Sequence, residues 1–469
     1  MKPILWGLVL VLVFSPAFGA EPEERAAFLA SGILGADDGG LYTGPGLGFR
    51  LLSDSITMSG NMRFVNDGKW DPTESWMLYG YYFDLLHASV TLHSSPFELS
   101  FGYLPATHRY SQNPFEILLD ANGKPAIGAA FTYDGTLFSY QTRWIGLNYR
   151  SPWEYGYAPD PEATWRDRGF NKKIYLIHLG NLRVGYQESS VFLDRFFDAN
   201  FFLNPAPTLF VNTLWSQGDN PWVHNTNDSS YMGFYGDYTL PQFRAEAEVV
   251  IKDMVRPGNL DTGNLNKFAW SAGATFTTDL GNFSFWHGGA TKHMFAASYS
   301  EDGNPNKYPY EYTYYPASQV EGRTIALSDN YIGFPYGENT LAFQLAWQKP
   351  WILGAYLLTT DTTLEWAIGG SQSPHNPWHL DDSWRDIPRD TELFYGDSVL
   401  SHTLVLSLGA QVEWSNFFLH AQVELGGTFN PLNLVTPIAG EPPLWRPQAG
   451  AFDNATRIEL EMGVKLGNL

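Results

Sequence analysis

Between Ser401 and Leu425 the chain reads SHTLVLSLGAQVEWSNFFLHAQVEL. Leu404, Leu406, Leu408, Ala410, Val412 and Trp414 fall on one parity. Thr403, Ser407, Gly409, Gln411 and Glu413 fall on the other, interrupted only by Val405. A period of two marks a β-strand, whose successive side chains point to opposite faces. After Ser415-Asn416 the alternation resumes, with Phe417, Leu419, Ala421, Val423 and Leu425 against His420, Gln422 and Glu424. This stretch therefore predicts an antiparallel hairpin with one apolar face and one ionic face.

The same pattern recurs along the chain. Phe243, Ala245, Ala247, Val249 and Ile251 alternate with Arg244, Glu246, Glu248 and Lys252, and Phe268, Trp270, Ala272, Ala274 and Phe276 with Lys267, Ser271, Gly273 and Thr275. Leu341, Phe343, Leu345 and Trp347 are set against Gln344 and Gln348, and Ile458, Leu460, Met462, Val464 and Leu466 against Arg457, Glu459, Glu461 and Lys465. Each run is about ten residues long, which is what a tilted strand needs to cross a bilayer. Less regular alternation places further strands at 77–92 and 136–149. A weak first strand at 26–34 competes with a short helix or plug segment.

The connections fall into two classes. Eight are short and rich in Gly, Asn, Asp and Pro, near residues 53–55, 93–95, 134–135, 180–181, 240–242, 279–282, 349–350 and 415–416. Such residues supply the backbone angles of tight hairpins. Nine are polar and aromatic and mostly long, near 37–40, 66–74, 106–124, 151–172, 193–229, 254–266, 301–339, 369–398 and 428–455. The two classes alternate, as in a membrane barrel with short periplasmic turns and long extracellular loops. Eight of one and nine of the other imply eighteen strands, with both termini on the periplasmic side.

Composition and the amino-terminal stretch fit that reading. Lys2, the apolar run Ile4–Phe14, Pro16 and the small residues Ala17 and Gly19 predict a secretory leader over residues 1–19. Residues 20–40 then form a periplasmic segment or the first strand, and residues 41–469 the barrel. The chain has no cysteine, hence no disulfide framework and no acylation site. Beyond the leader no apolar run is long enough for a transmembrane helix. The formal net charge of −21 disfavours nucleic acid as a partner. An aromatic share of 16% and 45 glycines suit a barrel with interfacial rings and tight turns. These features predict an all-β protein, a single transmembrane antiparallel barrel of about eighteen strands in the outer membrane of a Gram-negative-type envelope. Its partners are expected to be outer-membrane lipid and, during insertion, barrel-assembly machinery.

On this reading the polar parity lines the lumen: Arg244, Glu246, Glu248, Gln411, Glu413, His420, Gln422, Glu424, Arg457, Glu459, Glu461 and Lys465. A barrel this wide is not filled by its own wall side chains, so it holds water, inward loops or a plug. Ionic ladders among these residues serve first as screening between strands.

Few residues carry the signature of chemistry. His287 and His293 share parity, with Ser284 and Asp279 near them, but the spacing is neither that of a nucleophile elbow nor of a metal site, and no cofactor or metal signature occurs. The expectation is a non-enzymatic protein. The loop 371–397 is richer, placing Trp378, Trp384, Phe394 and Tyr395 among Asp381, Asp382, Asp386, Asp390, Glu392, Arg385 and Arg389. Rings that stack on sugar faces, flanked by groups that hydrogen-bond hydroxyls, make a candidate polysaccharide surface at Trp378, Asp381, Asp382, Trp384, Arg385 and Asp386. The competing readings are a solvated loop with interfacial rings and an oxygen-only calcium site, for which the spacing is disordered. In mid-chain, FFLNPAPTLF at 201–210 carries an Asn-Pro-Ala that resembles a short motif of fatty-acid-channel barrels, with a plain proline turn as the alternative.

Two stretches resemble the Wzi family of capsule-assembly outer-membrane proteins. In Lys172–Asp253 the strand pair KKIYLIHLGNLRVGYQESSVF precedes the Asn204-Pro205 loop, WVHNTNDSSYMGFYGDY and an acidic strand ending at Lys252-Asp253. In Tyr310–Gln348, YEYTYY is followed by GFPYGENTLAFQLAWQ. The resemblance covers about a quarter of the chain. It implies an eighteen-stranded, non-enzymatic barrel that binds surface polysaccharide and supports capsule or exopolysaccharide assembly. The chain departs from the family pattern at residues 20–40, which leave little room for the periplasmic helical bundle, and at Leu469, where a terminal Phe is usual. Two alternatives remain: a porin or fatty-acid-type channel, and a barrel hydrolase.

Overall fold

A computed structural model describes residues 25–37, 39–68, 77–105, 110–120, 124–149, 167–193, 195–208, 210–211, 228–253, 267–296, 312–315, 319–320, 323–373, 392–435 and 444–467. Eighteen antiparallel strands form one closed sheet. They are β1 (Arg25–Asp37), β2 (Gly40–Leu52), β3 (Ile56–Val65), β4 (Tyr82–Ser94), β5 (Phe97–Leu104), β6 (Ala126–Asp134), β7 (Phe138–Asn148), β8 (Arg168–Leu179) and β9 (Leu182–Leu193). The circuit continues through β10 (Ser229–Leu240), β11 (Phe243–Asp253), β12 (Lys267–Thr278), β13 (Gly281–Ala290), β14 (Thr340–Leu353), β15 (Tyr356–Gly369), β16 (Ser401–Trp414), β17 (Phe417–Phe429) and β18 (Arg457–Leu466). Pairing of β1 with β18, from Phe28↔Leu466 to Ala36↔Ile458, closes the ring and leaves no sheet edge to recruit another chain. The residues read as either a strand or a helix near the amino end are β1.

The short connections join consecutive strands at one end of the barrel, and two boundaries differ from the pattern-based expectation. The turn expected at Lys349-Pro350 lies at Gly354-Ala355, because β14 continues through the proline and pairs as far as Leu353↔Tyr356. Beyond Gln348 that strand has no partner on its β13 side, so a residue without an N–H is tolerated there. Gly354, at φ +66°, takes the left-handed position of the turn. Similarly, residues Arg168–Lys172, expected in a connection, begin β8. The first of the nine outer connections is itself tight, spanning only the residues between Asp37 and Gly40.

Alternation along the strands separates two faces. Apolar side chains such as Leu404, Leu408, Val249, Phe268 and Phe276 are exposed on the outer wall. The opposite parity meets chain that has folded into the barrel. Residues 110–120, from the β5–β6 connection, touch β11 through Glu248 and β12 through Ser271, and pack on β13 at Gly288. Residues 291–296, 312–315 and 324–339, from the β13–β14 connection, join them. The Asp120 N–H donates to Ile332 O (2.9 Å) and the Phe334 N–H to Ile117 O (3.3 Å). Phe115, Ile117, Leu118 and Leu119 are buried there with Phe170, Val191, Tyr231, Val250, Phe295, Tyr312 and Phe334. Each such side chain contributes about 1.5–3 kcal/mol on burial, so these loops are packed into the barrel as a core. The plug occupies the side lined by β7–β15, from Ile145 to Ala367.

A third connection folds the other way. Residues 195–211, including the one-turn helix α1 (Ala199–Leu203), lie against the outer wall of β7–β9.

Candidate functional site

The sequence-predicted inner-face residues fall into two groups on opposite walls. Arg244, Glu246 and Glu248 of β11 lie beneath the plug. Glu246 accepts the Gln112 N–H (3.0 Å) and the Tyr235 hydroxyl (3.1 Å), while Arg244 pairs with it at 2.8 Å. Glu248 accepts the Ile117 N–H (2.8 Å), the Ser271 hydroxyl (2.9 Å) and the Gln187 amide (2.7 Å). The Tyr110 carbonyl accepts from Tyr235, Arg183 and Arg244. By accepting several donors at once, each of these acids pins a stretch of plug to the wall.

Glu116 is the plug's own charge. It points at Lys172 of β8, 4.0 Å away, and burial pushes its carboxyl up to about 8 despite the opposing pull of Lys172. Glu246 and Glu248 add to the upward push. Arg143 of β7 donates to the Pro105 carbonyl where the plug leaves β5.

Gln411, Glu413, His420, Gln422, Glu424, Arg457, Glu459, Glu461 and Lys465 occupy the inner parity of β16–β18, away from the plug. Their register runs Gln411↔His420↔Glu461, Gln422↔Glu459 and Glu424↔Arg457. Arg457 donates to the Tyr42 hydroxyl (2.9 Å) and to Glu459 (2.6 Å), and Tyr42 donates to Glu459 (3.0 Å). Lys465 meets Glu413 at 3.0 Å. Gln422, Glu424, Arg457 and Glu459 line a polar cleft on this wall. The two sets are therefore separate, one spent on holding the plug and one lining the cleft.

The histidines do not form a centre. His287 faces the outer wall, where it accepts from the Trp270 indole (3.1 Å) and stacks on Phe343 at 4.6 Å. Ser284 is on the opposite, inner parity of β13, in register with Thr275. His293 lies beyond the strand with φ +62°, and burial lowers its pKa to about 3, so its 3.9 Å approach to Glu338 is that of a neutral ring. Among the described residues no cluster of metal-ligating side chains occurs.

Trp378, Asp381, Asp382, Trp384, Arg385 and Asp386 lie outside the described residues, as does the expected leader. The two ends of their loop are described, and they converge. The Ser373 N–H donates to Glu338 (2.7 Å), and the Phe394 N–H donates to the next residue, Asn339 (2.7 Å). The Asn339 amide in turn donates to Ser371 O and to Asp397, both at 2.8 Å. Gln372 is bridged through its backbone to Trp445 (2.9 Å) and through its side chain to Tyr336 O (2.9 Å). Lys292 donates to Tyr395 O (3.1 Å). Glu338 is buried, which raises its carboxyl to about 7 against the two backbone donors that favour its charge.

Periodicity missed the plug anchors Glu116, Asn113, Tyr312 and Lys172, and on the other wall Tyr42, which joins Arg457 and Glu459. The usable signal was the apolar run Phe115, Ile117, Leu118, Leu119 inside a polar connection, which has no reason to face water.

No family model and no curated protein matches this chain. Solved structures do. One is Wzi of Escherichia coli, described as an outer membrane protein involved in group 1 capsule assembly and a carbohydrate-binding β-barrel. It matches over 94% of this chain and 84% of its own, at 12% identity and a TM-score of 0.50. Two Pseudomonas aeruginosa outer-membrane structures, OpdK and OccK5 (OpdH), match over 95% of this chain and 99% of theirs. Both are 10% identical, with TM-scores of 0.47 and 0.44. The chain is an eighteen-stranded closed barrel similar in fold to Wzi.

Proposed function

We propose that this protein resides in the outer membrane and binds surface polysaccharide at the long-loop end of a barrel closed to bulk solute, without catalysing a reaction. The observation that carries the reading is the pinched stem at Glu338-Asn339, which fixes both ends of the loop bearing Trp378, Trp384 and their acidic and basic neighbours. A binding surface on a held stem loses less conformational entropy on meeting a flexible glycan than one on a free loop. The packed plug supports the same reading, since it is built for closure. The likeness to a barrel described as carbohydrate-binding agrees with it.

Replacing Trp378 and Trp384 together with Ala is expected to abolish retention of surface glycan while leaving the barrel folded, as checked by heat-dependent gel mobility. Unchanged retention overturns the proposal. The uncovered polar wall at Tyr42, Arg457 and Glu459 favours a second reading, a solute channel. Single-channel recordings with large, steady conductance would select it.

A further inference from the structure

The connection that folds outward meets the wall in two ways. Phe201 and Val211 are buried against Phe192, and beside them the contact is polar. Lys173 of β8 and Glu188 of β9 are register partners on the outer parity, 3.9 Å apart and buried. Lys173 donates to Asn204 O (2.9 Å) and Ala206 O (2.7 Å), and the Tyr175 hydroxyl donates to Pro205 O (2.9 Å). Glu188 accepts the Thr208 N–H (2.7 Å) and hydroxyl (2.9 Å) and the Tyr186 hydroxyl (2.9 Å). Asn204-Pro205-Ala206 thus offers its carbonyls to a wall lysine, closed on itself by the Ala206 N–H to Asn204 Oδ1 (2.9 Å). Its exposed side is mostly apolar, with Asn200 the polar exception among the described residues. Phe197, Leu203 and Phe210 are 44%, 70% and 60% exposed, beside wall residue Phe234 at 64%.

Depth along the strand decides what covers these side chains. Lys173 lies midway along β8, about 20 Å along the strand from the Leu179 end and about 15 Å in height after tilt. That places it near the middle of an apolar band about 25 Å tall, whose lower rim is marked by exposed Leu179, Leu182 and Leu280 at the short turns. Irregular backbone at that depth is tolerated only when its polar groups are satisfied within the protein, as they are here.

We infer that residues 197–208 and Phe210 are inserted in the outer leaflet, with Phe197, Leu203 and Phe210 against acyl chains, as a shield that keeps the Lys173–Glu188 pair out of hydrocarbon. This rests on the barrel spanning a membrane, but not on polysaccharide binding. The chain has no cysteine, so single-cysteine variants label cleanly. Leu203→Cys, carrying an environment-sensitive fluorophore, is reconstituted in vesicles containing lipids with a nitroxide on the acyl chain or on the headgroup. Phe234→Cys serves as the wall control.

The expected result is loss of emission at position 203 comparable with that at 234, greater for the acyl-chain quencher than for the headgroup one. Quenching at 234 but not at 203, with 203 reached by aqueous iodide, overturns the inference. So does thiol cross-linking of two copies of the unlabelled Leu203→Cys variant, which would make the patch a self-interface. Loss of quenching at both positions would instead overturn the membrane-spanning reading.

Discussion

At the scale of single residues, the buried acids set how firmly the plug is held. Glu248→Ala would strand the Ile117 N–H, the Ser271 hydroxyl and the Gln187 amide together. Each unsatisfied buried group costs about 1–3 kcal/mol. The expected outcome is a barrel that still folds but shows frequent channel openings in planar bilayers, with Glu248→Gln intermediate. Glu116 adds a pH dependence. Its folded pKa, about 8, lies above the ordinary glutamate value of 4.5, so the folded plug binds a proton that the released plug gives up. Its contribution is therefore complete at low pH and lost as pH rises through about 8. Lys172, Arg143, Glu246 and Glu248 face it and hold that window. Openings should be more frequent at about pH 8.5 than at about pH 5.5, and Glu116→Gln should flatten the difference. Alternation in the sequence placed Glu246 and Glu248 on the polar parity. It could not tell that Glu246 and Glu248 hold Gln112 and Ile117, because those bonds join positions more than a hundred residues apart and depend on where a loop travels.

Elements were legible wherever one face is apolar and the other polar. The hairpin of β16 and β17 is read directly from its residues, with Trp414↔Phe417 flanking the turn. Strands covered on both faces were harder to place. In β8, Arg168, Phe170, Lys172 and Ile174 face the plug while Gly169, Asn171 and Lys173 face the outward segment, and all are buried, so no amphipathic period marks the strand start. In β14, proline looked like a turn because a lone sequence does not show that the neighbouring strand stops short. His287 misled for a related reason. It was set beside His293 as sharing parity on one strand, but that strand ends at Ala290 with His293 beyond it, and the His287 ring is held on the outer wall by Trp270 and Phe343. The fit between plug and wall gives an element-scale test. A Cβ on Gly288 would stand 2.9 Å from both Phe115 and Phe334. Overpacking of this kind costs about 1–3 kcal/mol, so Gly288→Val should expel Phe115 and raise protease sensitivity within residues 110–120 while the barrel keeps its gel mobility.

For the whole molecule, the alternation of short and long connections was enough to count eighteen strands, because an even, closed, antiparallel sheet leaves no other way to join them. What fills the ring was legible only as a need. A barrel of this width demands something inside, and the chain supplies it from two connections far apart in sequence. With the plug packed on β7–β15, the wild-type protein should give little conductance and little liposome swelling. A variant lacking residues 110–120 should give much more of both.

The stem at Glu338-Asn339 has one more consequence. Because Ser373 and Phe394 are tied to adjacent residues, everything between them is a closed detour whose length hardly alters the scaffold beneath. Doubling such a detour adds only about 0.6 kcal/mol of closure entropy. Evolution, or an engineer, can therefore exchange that insert wholesale while the barrel below stays the same.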